Sequence, residues 1–148
     1  MVENELTSTL MSEIETAVKD LRLPVKNGSP RAPVVFNGYL PPKRSRMDDD
    51  LPCIVVRPEN GEINDDETEV TVSIIIVCYS EEFDGYIHCM NVMQKIKNLL
   101  CSLENGILAN KYVLKLPMKW ENIADQPYPN WQIDIETHWC FNTPQPIF

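Results

Sequence analysis

The sequence predicts an α+β fold, in which an antiparallel or mixed sheet of four to five strands carries two helices packed on one face. Two stripes of apolar residues at helical spacing, Leu6–Leu21 and Tyr86–Leu103, are separated by segments whose apolar residues recur at every second position. Side chains return to one face about every 3.6 residues in a helix and every two residues in a strand. The predicted order is helix, irregular tract, two or three strands, helix and two strands.

The first helix is predicted from apolar side chains at Leu6, Leu10, Ile14, Ala17, Val18 and Leu21. Its glutamates are concentrated toward the N-terminal end, where the helix dipole favours negative charge. Pro24 ends this helix, because proline cannot continue the hydrogen-bond ladder.

The tract from Pro24 to Pro52 holds six prolines and is predicted to be irregular. A short apolar run within it, Val34–Leu40, is expected to form an edge strand, with Asn37-Gly38 as a kink, bulge or turn. The segment around 41–51 is expected to be a flexible loop, since so long a connection in a compact domain is usually functional or disordered.

The middle of the chain predicts a hairpin followed by a helix. Cys53–Pro58 and Thr68–Tyr79 are the two strands, and the acidic segment between them is expected to be a polar, flexible tip. The helix is predicted to start near Asp84, a favourable N-cap residue, and to end before Asn105-Gly106.

The C-terminal part of the chain predicts a second hairpin, with strands over Lys111–Trp120 and Trp131–Phe141. Pro117 is compatible with a strand only at a sheet edge or a bulge. Lysines on the first strand and Asp134 and Glu136 on the second are expected to lie on one face, where opposite charges can pair across strands.

Length and charge place the chain in a broad class. Its 148 residues fit a single domain, 1–148, with no apolar run long enough to span a bilayer and no signal peptide at the N-terminus. The net charge of −9 argues against nucleic-acid binding, which requires clustered Lys and Arg to neutralise phosphates. We therefore expect a protein of the cytoplasm that binds neither membranes nor specific nucleic acid.

The residues that carry chemistry form no catalytic pattern. Cys53, Cys78, Cys89, Cys101 and Cys140 are scattered and odd in number, and are predicted to be free, reduced thiols that pack as small hydrophobes. The metal candidates are two adjacent or near-adjacent pairs, His138 with Cys140 and His88 with Cys89, and zinc needs three or four ligands. Phosphate-binding glycine motifs are absent. We expect neither a cofactor nor an enzyme.

Two segments are candidates for contact with partners. Tyr128 and Trp131 lie in a proline-flanked segment and are interpreted either as a cap on the core at the end of the sheet or as an interface anchor. The loop that contains Lys43, Arg44 and Arg46, followed by Asp48, Asp49 and Asp50, is too polar for the core. It is interpreted either as a plain flexible loop or as a contact with neighbouring molecules in an assembly.

The region from Asn37 to Trp139 resembles a family of small structural proteins of phages and prophages. Its most specific parts are the strand-to-helix unit Glu69–Leu100 and the aromatic segment with Trp120 and Gln126–Trp131. The family is the tail-completion or tail-terminator type of long-tailed phages from Gram-positive bacteria.

That resemblance implies an α+β subunit that forms a ring, commonly a hexamer, at the head-proximal end of the tail. The ring would end growth of the tail tube and join it to the head–tail connector protein, so that its partners are other copies of itself, the tail tube protein and the connector. It would assemble in the cytoplasm of the bacterial host and remain in the virion tail. The alternative is a small adaptor that binds a peptide or protein at an open edge of the sheet.

Overall fold

The computed structural model describes residues 2–39, 51–123 and 128–143. Within these ranges the chain forms an α+β fold of two α-helices and a mixed six-stranded sheet. The elements are α1 (Val2–Val18), β1 (Val34–Asn37), β2 (Cys53–Ile63), β3 (Glu67–Tyr79), α2 (Tyr86–Cys101), β4 (Ile107–Leu108), β5 (Tyr112–Asn122) and β6 (Asn130–Asn142).

The predicted fold class is confirmed, and the predicted strand number of four to five is too low. The additional strand is β4, whose two residues pair with Tyr112 and Val113 of β5. An alternation of apolar and polar residues needs more than two positions to be detectable, so the sequence pattern could not reveal this strand.

The sheet has the strand order β1-β2-β3-β6-β5-β4. β1 runs parallel to β2, and each of the other neighbouring pairs is antiparallel. Asn37 ends the predicted edge strand, and Gly38 follows it with a φ of 79°, a conformation that glycine adopts without strain.

Both helices pack against the same face of the sheet. The predicted stripe of α1 is confirmed by the complete burial of Leu6, Leu10 and Ile14, which join the buried face of α2 in one core. Alternate residues of β3 and β6 complete this core, among them Ile74, Ile76, Ile133, Ile135 and Trp139. The opposite face of the sheet is largely polar, apart from a small cluster at one end formed by Leu51, Cys53 and Tyr79.

Three local predictions differ from the structure. The first helix is predicted to continue past Leu21 and to end at Pro24, whereas α1 ends at Val18 and a turn follows it. β2 continues through the acidic segment to Ile63, with a bulge between Pro58 and Asn60, because β3 supplies backbone partners along this whole length. The cap prediction for Asp84 is wrong: α2 begins at Tyr86 after Gly85, without a side-chain cap. Asp84 contributes through its main chain instead, since its carbonyl accepts from the Ile87 amide at 3.0 Å in the first turn of the helix.

Pro117, which has no N–H to donate, lies at an irregular point of the sheet. The pairing between β5 and β6 is interrupted between Lys115 and Lys119, so that Pro117 lies where no regular ladder hydrogen bond is required. Lys119 lies opposite Glu136 in the register, as predicted, although the ion pair recorded for Glu136 is with His138, at 3.3 Å.

Candidate assembly surfaces

The connection between β3 and α2 is fixed by the two aromatic residues singled out in the sequence. The Trp131 indole N–H donates to the Ser80 carbonyl at 3.0 Å, and the Tyr128 hydroxyl donates to the Glu81 carbonyl at 2.5 Å. The two rings meet edge to face, with centroids 6.2 Å apart. We call this region, residues Ser80–Ile87 with Tyr128 and Trp131, the end corner, because it lies where β3 ends and α2 begins.

The end corner is held from several directions. The Ser80 amide donates to the Pro129 carbonyl at 2.9 Å, and the Cys89 thiol donates to the Trp131 carbonyl at 3.2 Å. A Cβ atom at Gly85 would lie 2.3 Å from Trp131 Nε1, so the helix start packs on the indole as closely as glycine permits. The corner is therefore a fixed platform, and Trp131 is a structural anchor for it.

The outer side of the end corner is apolar with an acidic border. Phe83 is 99% exposed and Tyr128 is 57% exposed, while Tyr86 and Ile87 are partly exposed beside them on the chain. Glu81, Glu82 and Asp84 flank Phe83 and are also exposed. Exposed apolar groups with a polar border are typical of protein–protein contact sites.

Sequence reasoning identified Tyr128 and Trp131 but missed Phe83. The available signal was a phenylalanine inside the run Ser-Glu-Glu-Phe-Asp-Gly, Ser80–Gly85, where neither a strand nor a helix pattern supplies a buried face for it. The periodicity analysis treated this run only as a connection.

The two sides of the sheet end in partly uncovered strands. β1 pairs with Cys53–Val56 of β2, which leaves Arg57–Ile63 without an outer strand in the part of the chain that the structure describes. We call Arg57–Ile63 the β2 edge segment. On the other side of the sheet, β4 pairs with Tyr112 and Val113 of β5. The rest of β5, Leu114–Asn122, also has no outer strand among the described residues, and we call it the β5 edge segment.

Both edge segments expose apolar side chains. Ile63 in the β2 edge segment is 72% exposed, and Leu116 and Trp120 in the β5 edge segment are 78% and 52% exposed. The two edge segments, and these side chains with them, lie at opposite edges of one sheet. The end corner lies at one end of the strands between them.

The polar face of the sheet carries the first metal candidate. His138 Nδ1 lies 3.1 Å from Thr71 Oγ1, and its Nε2 lies 3.3 Å from Glu136 Oε2, so both ring nitrogens have partners within the protein. Cys140 is buried, and burial together with Glu67 raises the pKa of its thiol to about 11, which disfavours the thiolate that a metal would need. Within the described residues, no group of three or more potential metal ligands is present.

A shallow depression of about 440 Å³ lies beside this network, lined by residues that include Thr71, Lys115 and His138. Thr71 and His138 are register partners on β3 and β6, so their contact is ordinary cross-strand pairing. Glu136 lies two residues from His138 on the same face of β6, which brings the two side chains together.

None of the five cysteines forms a disulfide bond, and four of them are buried. Cys89 beside Cys78, together with burial, raises the pKa of the Cys78 thiol. Cys101 differs from the prediction that every cysteine packs as a small hydrophobe, because it lies exposed at the last residue of α2. The stripe of α2 ends at Leu100, and Cys101 falls on the solvent side of the helix.

The predicted contact loop with Lys43, Arg44, Arg46, Asp48, Asp49 and Asp50 lies outside the described residues. Its role stays a prediction.

Comparison with protein-family models finds no match, and comparison with curated proteins finds none either. Across the described ranges, neither helix is both long and apolar enough to cross a membrane.

Proposed function

We propose that this chain is a phage structural protein, without catalytic activity, that forms a ring, ends growth of the tail tube and joins the tail to the head connector. The observation that carries the proposal is the end corner, which holds Phe83 on a fixed platform with 99% of its side chain exposed. Burying such a side chain in a contact contributes on the order of 1.5–3 kcal/mol. The resemblance of Asn37–Trp139 to tail-terminator proteins supplies the identity of the partners.

The distribution of contact surfaces supports a ring subunit. A ring is built from heterologous contacts, in which one surface of a subunit meets a different surface of its neighbour. The sheet offers two different edge segments on opposite sides for such contacts. The end corner is a third surface, which we assign to docking on the tail tube protein or the connector protein.

The charge of the chain is compatible with this role. A ring at the end of a tail must let DNA pass without binding it, and a net charge of −9 per subunit keeps phosphates from adhering to its surfaces. In this proposal the ring, commonly a hexamer in the family, assembles in the cytoplasm of the bacterial host and stays in the virion tail.

The second candidate function is an adaptor that binds a peptide by strand addition. The uncovered outer side of the β5 edge segment is the observation that favours it. Pro117 within this segment has no N–H to donate, and Lys115 and Lys119 flank it, which are devices that oppose strand addition. The β5 edge segment therefore suits side-chain contacts with a folded neighbour better than pairing with an extended peptide.

The ring proposal predicts self-association of the purified chain. Size-exclusion chromatography with light scattering, run over increasing protein concentration, should show a discrete oligomer whose mass is a fixed multiple of the 17.0 kDa chain. The reason is that heterologous contacts which close on themselves stop at one size. A mass equal to one chain at every concentration would favour the adaptor.

A further inference from the structure

We infer that neighbouring subunits of the ring meet edge to edge, with the β2 edge segment of one copy docked on the β5 edge segment of the next. The inference rests on the proposed function, because it names the surfaces through which the ring would close. It is carried by three observations: neither edge has an outer strand among the described residues, the two edges lie at the same level of the sheet, and their net charges are opposite.

The two edge segments lie on opposite sides of one sheet, separated by β3 and β6. A subunit related to its neighbour by rotation about a ring axis would therefore bring one edge against the other. This relation is heterologous, since the two edges differ in sequence and in side chains. An isologous dimer would use one edge twice and leave the other uncovered.

The strand register places the two segments at the same level. Asn60 of β2 lies opposite Thr71, Thr71 lies opposite His138, and His138 lies opposite Lys115 of β5. Two rows further along, Arg57 is connected in the same way, through Ser73 and Glu136, to Lys119. The residues 57–60 and 115–119 are thus the two ends of the same rows across the sheet.

Both edges are irregular between these rows. The pairing of β2 with β3 shifts between Pro58 and Asn60, and the pairing of β5 with β6 shifts between Lys115 and Lys119. Each irregular stretch contains a proline, so continuous backbone pairing between copies is excluded there. The contact we infer is therefore made by side chains.

The charges of the two segments complement each other. Glu59 and Glu62 are exposed in the β2 edge segment. Arg57 donates from its Nε to the Gly38 carbonyl at 2.7 Å, lies over the Tyr39 ring and also pairs with Glu59 at 3.6 Å. Two acidic groups and one basic group leave this segment net negative. Lys115, Lys119 and Glu121 are exposed in the β5 edge segment, and two basic groups against one acidic group leave it net positive. Leu116, exposed between the two lysines, adds apolar area on the basic side of the contact.

The occupant of each edge is therefore a second copy of this chain. A partner that carries only one sign of charge could complement only one of the two edges. Other copies of this chain complement both edges, because each copy has one acidic and one basic edge.

A charge-swap experiment tests the inference. The first variant carries Glu59→Lys and Glu62→Lys, and the second carries Lys115→Glu and Lys119→Glu. Each variant alone places like charges on both edges, so we expect its self-association to be weakened by about tenfold or more relative to the unmodified chain, as measured by sedimentation velocity. An equimolar mixture of the two should recover association, because every contact between unlike subunits then joins opposite charges.

Matched charge reversals elsewhere provide the control. Glu13→Lys with Glu15→Lys on α1, and Lys95→Glu with Lys97→Glu on α2, change exposed residues by the same total charge and should leave association unchanged. Circular dichroism of each variant verifies that it is folded before mixing.

Three results would overturn the inference. If the unmodified chain associates and the edge variants associate equally well, the contact lies elsewhere and the ring proposal still stands. If the folded edge variants fail to associate even when mixed, the loss is not due to charge pairing between these edges. If the unmodified chain itself remains a monomer, the edge contact and the ring proposal both fail.

Discussion

Replacing Trp139 by alanine is expected to destabilise the protein by about 3–5 kcal/mol. Trp139 is fully buried in β6, and its indole N–H donates to Thr137 Oγ1 at 2.8 Å. Thr137 is itself buried and donates to the Val72 carbonyl of β3 at 2.7 Å. The substitution would leave a large cavity between sheet and helices and would remove one partner from this buried hydrogen-bond chain.

Urea unfolding followed by far-UV circular dichroism measures this effect. Trp120→Ala is the matched control, since it removes the same side chain from a position that is 52% exposed. A surface change of this kind is expected to alter the free energy of unfolding by no more than about 0.5 kcal/mol. Equal losses in the two variants would show that Trp139 does not carry the core contacts assigned to it.

The second large effect is expected at Gly85, where alanine should destabilise the protein by about 1–3 kcal/mol. Its backbone is in the right-handed helical region, with φ −57° and ψ −22°, so alanine is conformationally allowed there. By itself, a Gly→Ala change at such a position would stabilise a protein by about 0.4–1 kcal/mol. The added Cβ would lie 2.3 Å from Trp131 Nε1 and 2.7 Å from Ser80 Cβ, so the steric conflict decides the sign.

A double-mutant cycle with Trp131→Leu identifies the cause. If the indole is the obstacle, Gly85→Ala should cost at least about 1 kcal/mol less in the Trp131→Leu background than in the unmodified chain. Additive effects of the two substitutions would contradict the packing assigned to the end corner. The same cycle reports on Phe83 indirectly, because the turn that presents it is held by Trp131.

Much of the fold could be predicted from the sequence, because a helix or strand with one buried face has apolar residues at a regular spacing. The stripe Leu6, Leu10 and Ile14 and the alternation of Val72, Ile74 and Ile76 each report a face in contact with the core. The parallel pairing of β1 with β2 had no such signal, since period two is the same for both strand directions. The two residues of β4 carry no period at all.

The candidate surfaces were harder to predict, and for a different reason. Trp131 could be singled out because aromatic residues at Tyr128 and Trp131 are unusual in a connection that contains Pro127 and Pro129, although the sequence could not distinguish a core cap from an interface anchor. Its hydrogen bond to the Ser80 carbonyl shows that it anchors the turn. The roles proposed for Phe83 and the edge lysines depend on residues that are distant in sequence. For the lysines these residues are in the β2 edge segment, and only the strand register shows that the two segments lie at the same level of the sheet.

The proposal that this chain ends phage tails is tested most directly by tail length in particles produced with and without the protein. Particles produced without the protein, imaged by negative-stain electron microscopy, should contain overlong tail tubes that are not attached to heads. The physical reason is that tube subunits add indefinitely to an open end unless a ring of different sequence covers it. Supplying the unmodified chain should restore a single tail length and attachment to heads. Tails of normal length, joined to heads in the absence of the protein, would contradict the account.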